Sequence, residues 1–202
     1  MRCALQPFVF LGLAVVLWGC SSPARRVDLD RDDEVGGTGL DAADVRSMAD
    51  QMARSLSGCE EIFREGTTPR VMIKDIRNNS RFFVDKGLLV QSIRTRLMEA
   101  SGGRIRFLAR EHLDAVLDER EAKRSGAVGV TTDAEGEPRL GEVAGADYLL
   151  TGILSGIAKS SGGDASDYLR ASFQLVDTET GELVWEGAYE VKKVGEEGVV
   201  YR

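Results

Sequence analysis

With one histidine, three cysteines, four prolines and 6% aromatic residues in 202 positions, this chain is poor in the side chains that most often carry chemistry. His112 alone cannot build a metal cluster of recognisable spacing, and no Cys–His or Ser–His–Asp set can be assembled around it. In "REHLDAVLDER" it stands at the start of a charged helix, a solvated or capping position. The adjacent carboxylates Asp118-Glu119 and Glu196-Glu197 belong to charge runs and read as solvated faces. "SSGGDAS" and "SGGRIR" lack the Lys and Ser/Thr that complete a phosphate-cradling loop, so both read as turns. No catalytic, metal-binding or cofactor-binding residue is expected, and no enzymatic activity. Positive charge is scarce as well: 26 Lys and Arg face 33 Asp and Glu, a net of −7. That sign argues against nucleic acid and against broad attraction to anionic head groups.

Long hydrophobic runs are also missing. The most apolar stretch, Pro7 to Trp18, has 12 residues, short of the roughly 20 that span a bilayer but sufficient for the central region of a signal peptide. It ends in Leu17-Trp18-Gly19-Cys20, which resembles the lipobox of bacterial lipoproteins. The resemblance implies that residues 1–19 are a signal peptide, that cleavage precedes Cys20, and that Cys20 is the lipidated residue anchoring the protein in a membrane. Several acyl chains on one cysteine give stable anchoring, where a single chain gives only marginal binding. Ser21, where the inner-membrane signal would be Asp, resembles the sorting pattern of outer-membrane cargo, so an outer-membrane protein with its domain facing the periplasm is expected. The mature chain would carry 25 basic and 33 acidic residues. Cys59 would be its one free thiol: a small buried apolar side chain, or else an exposed thiol or intermolecular bridge.

Residues 21–40, "SSPARRVDLDRDDEVGGTGL", combine Ser, Pro, Gly and alternating charge with few large apolar side chains, which predicts a flexible tether. Its reach is at most roughly 66 Å extended and about 25 Å as a random coil.

From Asp41 to Arg202 the pattern is that of one domain. Val45, Met48, Ala49, Met52, Ala53 and Leu56 form one helical stripe, with Asp41 as N-cap and Gly58 as stop. "PRVMIKDIRNNS" reads as a strand ending in a turn. Leu89, Val90, Ile93 and Leu97 mark a second helix stopped by Gly102-Gly103, "RIRFLA" a strand, and "REHLDAVLDEREAKR" a helix with Leu113, Val116 and Leu117 on one face. Residues 125–138 read as a mobile loop, followed by a short helical turn near Leu140 to Ala144. "ADYLLTGILSGIA" is an apolar strand. Leu169, Ala171, Phe173 and Leu175 alternate with polar residues, as do Leu183, Trp185, Gly187, Tyr189 and Val191, and "DTETG" between them is a hairpin turn. Trp185 and Tyr189 read as core. The order helix, strand, helix, strand, helix, strand, strand, strand predicts an α/β fold: a mixed β-sheet with flanking helices and a C-terminal antiparallel meander.

In "NNSRFFVDKG" two aromatics sit in a polar loop before a helix capped by Asp85. One reading is a hydrophobic staple, Val84 or a Phe packing onto Leu89. The other is a partner-binding hot spot of Phe82 and Phe83 rimmed by Arg77, Asn79 and Arg81.

"VMIKDIRNNS", "SIRTRLMEASGGRIRFL", "GADYLLTGIL" and "FQLVDTETGELVWEG", in register over about residues 70 to 192, resemble the LpoB-type penicillin-binding-protein activators. The resemblance implies a domain like the N-terminal domain of TolB, and an outer-membrane lipoprotein without enzymatic activity. It further implies a monomer that regulates cell-wall synthesis by touching a class A penicillin-binding protein. That family carries a long tether, whereas here residues 21–40 are available. The same lipoprotein-plus-domain pattern is also similar to curli-type secretion components, which sit beside an outer-membrane pore.

Overall fold

The computed structural model describes residues 26–29, 37–63, 67–129 and 142–196. The elements follow the expected order: α1 (Ala42–Ser57), β1 (Arg70–Asn79), α2 (Lys86–Ser101), β2 (Arg106–Phe107), α3 (Leu113–Arg124), β3 (Tyr148–Ser161), β4 (Asp164–Asp177) and β5 (Leu183–Glu196). They build one five-stranded sheet in the order β2-β1-β3-β4-β5. β1 is parallel to β2 and β3, and β3, β4 and β5 form an antiparallel meander. The parallel pairs need crossover segments, which α2 and α3 supply, whereas the antiparallel pairs are joined by short turns.

Local chemistry fixes the helix ends. Asp41 caps α1 by accepting from the Asp44 backbone N–H at 2.9 Å, and the Asp44 carboxylate returns the bond to the Asp41 N–H at 3.1 Å. This is a reciprocal capping box. Asp85 caps α2 through Leu88 N–H at 3.1 Å, and Gly102 ends that helix at a left-handed φ of 58°, a conformation that costs glycine nothing. The apolar stripes of α1 and α2 pack on one face of the sheet, α1 against β5 and α2 against β1. Met48, Met52, Leu56, Leu89, Ile93 and Leu97 there meet Val71, Ile76, Leu150, Leu154, Phe173 and Leu175.

Phe173 on β4 is flanked in register by Gly152 and Gly187. A Cβ at Gly152 would stand 2.7 Å from the Phe173 ring, and one at Gly187 would stand 2.5 Å from the Trp185 ring. Both aromatic rings therefore lie over glycines, filling what neighbouring side chains leave vacant.

Four expectations need correction. "RIRFLA" yields only a two-residue strand. Between the pairs Leu175–Trp185 and Val176–Leu183 the β4–β5 register shifts, leaving Val184 as a bulge on β5, so Leu183 is half exposed and Val184 packs against the core, reversing the alternation expected at that end. Val116 and Leu117 on α3 are exposed rather than docked. Residues 142–144 are not helical; Leu140 and Gly141, like residues 130–138 of the expected loop, lie outside the described residues. Trp185 and Tyr189 do pack against the core, and their polar ends reach α1: Trp185 Nε1 donates to Ser55 Oγ at 3.2 Å and the Tyr189 hydroxyl to Asp44 Oδ1 at 3.2 Å. No helix among the described residues is long and apolar enough to cross a membrane.

Candidate partner-binding surface

The five residues of the β1–α2 segment divide by environment. Asn78 organises the turn: its amide donates to Phe82 O at 2.8 Å, and its carbonyl accepts from the Ser80 N–H at 3.0 Å and the Ser80 hydroxyl at 2.7 Å. Phe82 is thereby turned inward, 8% exposed, while Phe83 points out at 68%. Val84 packs against the core that holds Leu89, as a staple requires.

Arg77 and Asn79 alternate with Ile76 and Asn78 and are exposed on the sheet face opposite α1 and α2. Strand register extends that face into rows. Asn79 pairs with Ser155, Ser155 with Arg170, and Arg170 with Glu190; Arg77 pairs with Ile153, and Ile153 with Ser172. Arg170 bonds both Glu190 and Ser172 Oγ. With Arg70, Arg106 and Lys192 also exposed on it, this face gathers positive charge on a chain that is acidic as a whole.

Arg81 faces the helix side. Its Nε and Nη2 bond the two carboxylate oxygens of Asp167 at 2.9 and 2.5 Å, its Nη2 lies 3.4 Å from Thr38 Oγ1, and its guanidinium stacks 4.8 Å from the centre of the Phe82 ring. Asp167 is 2% exposed. The Arg81 hydrogen bonds hold its carboxyl below the usual range, against the opposing effect of burial. Beside it in register stands Lys193, whose Nζ bonds Asp41 at 2.6 Å and Asp44 at 2.5 Å. Burial works against the charges on Lys193 and Asp41, but their mutual bonds outweigh it, leaving Lys193 raised and Asp41 lowered. Burial and the Asp44 charge raise Tyr189. Thr38 and Gly39, assigned to the tether on sequence grounds, are buried against this network.

Because Asp41 is lowered when folded, its contribution is complete above the unfolded value near pH 3.9 and is lost as pH falls through the folded value. Asp41→Asn keeps the helix cap and removes the charge. It is expected to cost roughly 1 kcal/mol at neutral pH. That deficit should shrink below about pH 4, as thermal melts of both proteins from pH 7 to 2 would show.

Asp167, Thr38 and Lys193 escaped the sequence reading. The available signal was a break in pattern: Ala165, Leu169, Ala171, Phe173 and Leu175 face inward, and Asp167 occupies the same parity. His112 is exposed and makes no side-chain cap bond. Cys59 is half-buried against the core, its thiol 3.8 Å from Val184 O. Among the described residues no His, Cys, Asp or Glu cluster is arranged to hold a metal. Cys20 lies outside the described residues.

No curated protein matches the chain. Among solved structures it is similar to the LpoB C-terminal domain from Salmonella enterica, 13% identical over 73% of this chain and 98% of that one, TM-score 0.40. It is likewise similar to the LpoB C-terminal domain from Escherichia coli, 15% identical over the same 73% and 98%, TM-score 0.40. A third similar structure is lipoprotein GNA1162 from Neisseria meningitidis, 17% identical over 62% of this chain and 83% of that one, TM-score 0.39. The family model described as peptidoglycan-synthase activator LpoB matches residues 44–191, from the first turn of α1 into β5. The chain belongs to the LpoB family of peptidoglycan-synthase activators.

Proposed function

We propose that this protein is an outer-membrane lipoprotein, anchored through Cys20 and tethered by the residues that follow, whose periplasmic domain works as a monomer. By direct contact it activates a class A penicillin-binding protein and carries out no chemistry of its own. The observation that carries this reading is the family match over residues 44–191 of the α/β domain. Activation then consists of binding the active conformation of the synthase more tightly than the inactive one.

The contact surface proposed is the outward part of the β1–α2 segment together with the adjoining sheet face. Phe83 supplies an exposed aromatic anchor, and Arg77 and Asn79 supply polar partners next to Arg170. Phe82 and Arg81 support this surface from behind. The basic bias of the face suits an acidic patch on the synthase, since complementary charge speeds encounter and fixes orientation.

A soluble chain beginning at Ser21 is expected to raise the glycan-polymerising rate of its cognate synthase. Phe83→Ala should weaken binding by on the order of 2 kcal/mol, about thirtyfold, with little change in melting temperature, and His112→Ala should leave activation intact. Absence of binding to any class A synthase of the same cell at micromolar concentration would overturn the proposal and favour the secretion-component alternative.

A further inference from the structure

A buried carboxylate is costly unless it is paired, and replacing such a pair with apolar side chains often stabilises a protein. Asp167 sits where its inward-facing neighbours on β4 are apolar, is 2% exposed, and bonds one guanidinium with both oxygens as well as the Thr38 hydroxyl. A break of this kind in an otherwise consistent pattern marks places where something other than stability is specified. What Asp167 specifies can be read from its partners. Arg81 is held at two points, its flat face rests on Phe82, and the turn that buries Phe82 leaves Phe83 outside. The same guanidinium reaches Thr38, four residues before α1 begins at Ala42, and Thr38 is 4% exposed.

We infer that Asp167 is a positioning residue for the partner-binding loop: through Arg81 it sets which aromatic faces outward, and through Thr38 it joins that loop to the point where the tether enters the domain. This rests on the proposed contact by Phe83 and adds a claim about mechanics. The loop and the point where the tether enters the domain form one body, so that entry point and the contact surface keep a fixed relation.

The test uses the soluble chain from Ser21, with hydrogen exchange read at the amides of residues 37–40 and 80–84. Asp167→Asn preserves shape and removes the charge. Both segments should then exchange about tenfold faster while the amides of β3 and β4 stay protected, the mark of local rather than global opening. Arg81→Gln should do the same, and the double variant should fall well short of the sum of the two, because the residues share the salt bridge. Synthase activation should fall in step with the exchange of residues 80–84. Unchanged exchange in Asp167→Asn, or additive effects in the double variant, would overturn the inference. Should Asp167→Asn fail to fold, Arg81→Lys, which keeps the charge but loses the two-point fork, gives the same reading. Faster exchange with full activation would leave the positioning role standing and overturn instead the assignment of Phe83 as a contact.

Discussion

Replacing Phe173 with alanine is expected to lower the stability of the domain by about 3–5 kcal/mol, the range for truncating a fully buried aromatic whose space cannot be refilled. Refilling is barred by the neighbours, since the residues paired with Phe173 on either side are Gly152 and Gly187. Neither has a side chain to move into the void, and the ring borders an apolar cavity that Ile93 of α2 and Leu150 of β3 also line. Domains of this size hold roughly 5–15 kcal/mol in all, so the variant should melt roughly 10 °C lower. Phe83→Ala provides the internal contrast, being 68% exposed. A fall of only two or three degrees in Phe173→Ala would mean that the sheet and α2 close together without the ring.

The other large effect concerns location. Cys20→Ser removes the only residue proposed to carry lipid, and no helix among the described residues could substitute as a membrane span. Each buried methylene contributes about 0.8 kcal/mol, so the loss of several acyl chains removes tens of kcal/mol of membrane affinity. The protein should shift from the membrane fraction to the soluble one, or persist as the unprocessed precursor. Fractionation together with mass spectrometry of the mature N-terminus decides the matter. An unmodified wild-type terminus in the soluble fraction would end the lipoprotein reading, while leaving the domain's contact with a synthase open to its own assay.

How much was legible beforehand follows from the range of the forces involved. The stripe from Val45 to Leu56, the Asp41 and Asp85 caps, the Gly102 stop and the β4–β5 hairpin are set within a few residues of chain, and the sequence reading recovered them. α3 shows the limit, because a 3.6-residue period reports an apolar face without saying whether anything covers it. The bulge at Val184 shifts parity by one residue, which alternation cannot anticipate. At the candidate site, exposure of Arg77, Asn79 and Phe83 agreed with a surface reading, but neither Phe82 nor Phe83 carries a local sign of which one is buried. The Asn78 bond to Phe82 O shows only in the folded turn, and the ion pair beside it joins positions 86 apart; long-range pairing leaves no trace in local periodicity.

That separation in sequence has a consequence for how the chain acquires its shape. β3, β4 and β5 are joined by two short turns, so the meander closes small loops and can form early, as contacts near in sequence do. β1 leaves its pairing edge empty until β3 has appeared, roughly seventy residues later, and each parallel pairing must first meet the entropy of closing a long loop. In a chain made N-terminus first, the strand that begins the sheet therefore waits longest for most of its pairing. In the interval its Val71, Ile73 and Ile76 are uncovered, and a chaperone that binds extended apolar segments would find its target there.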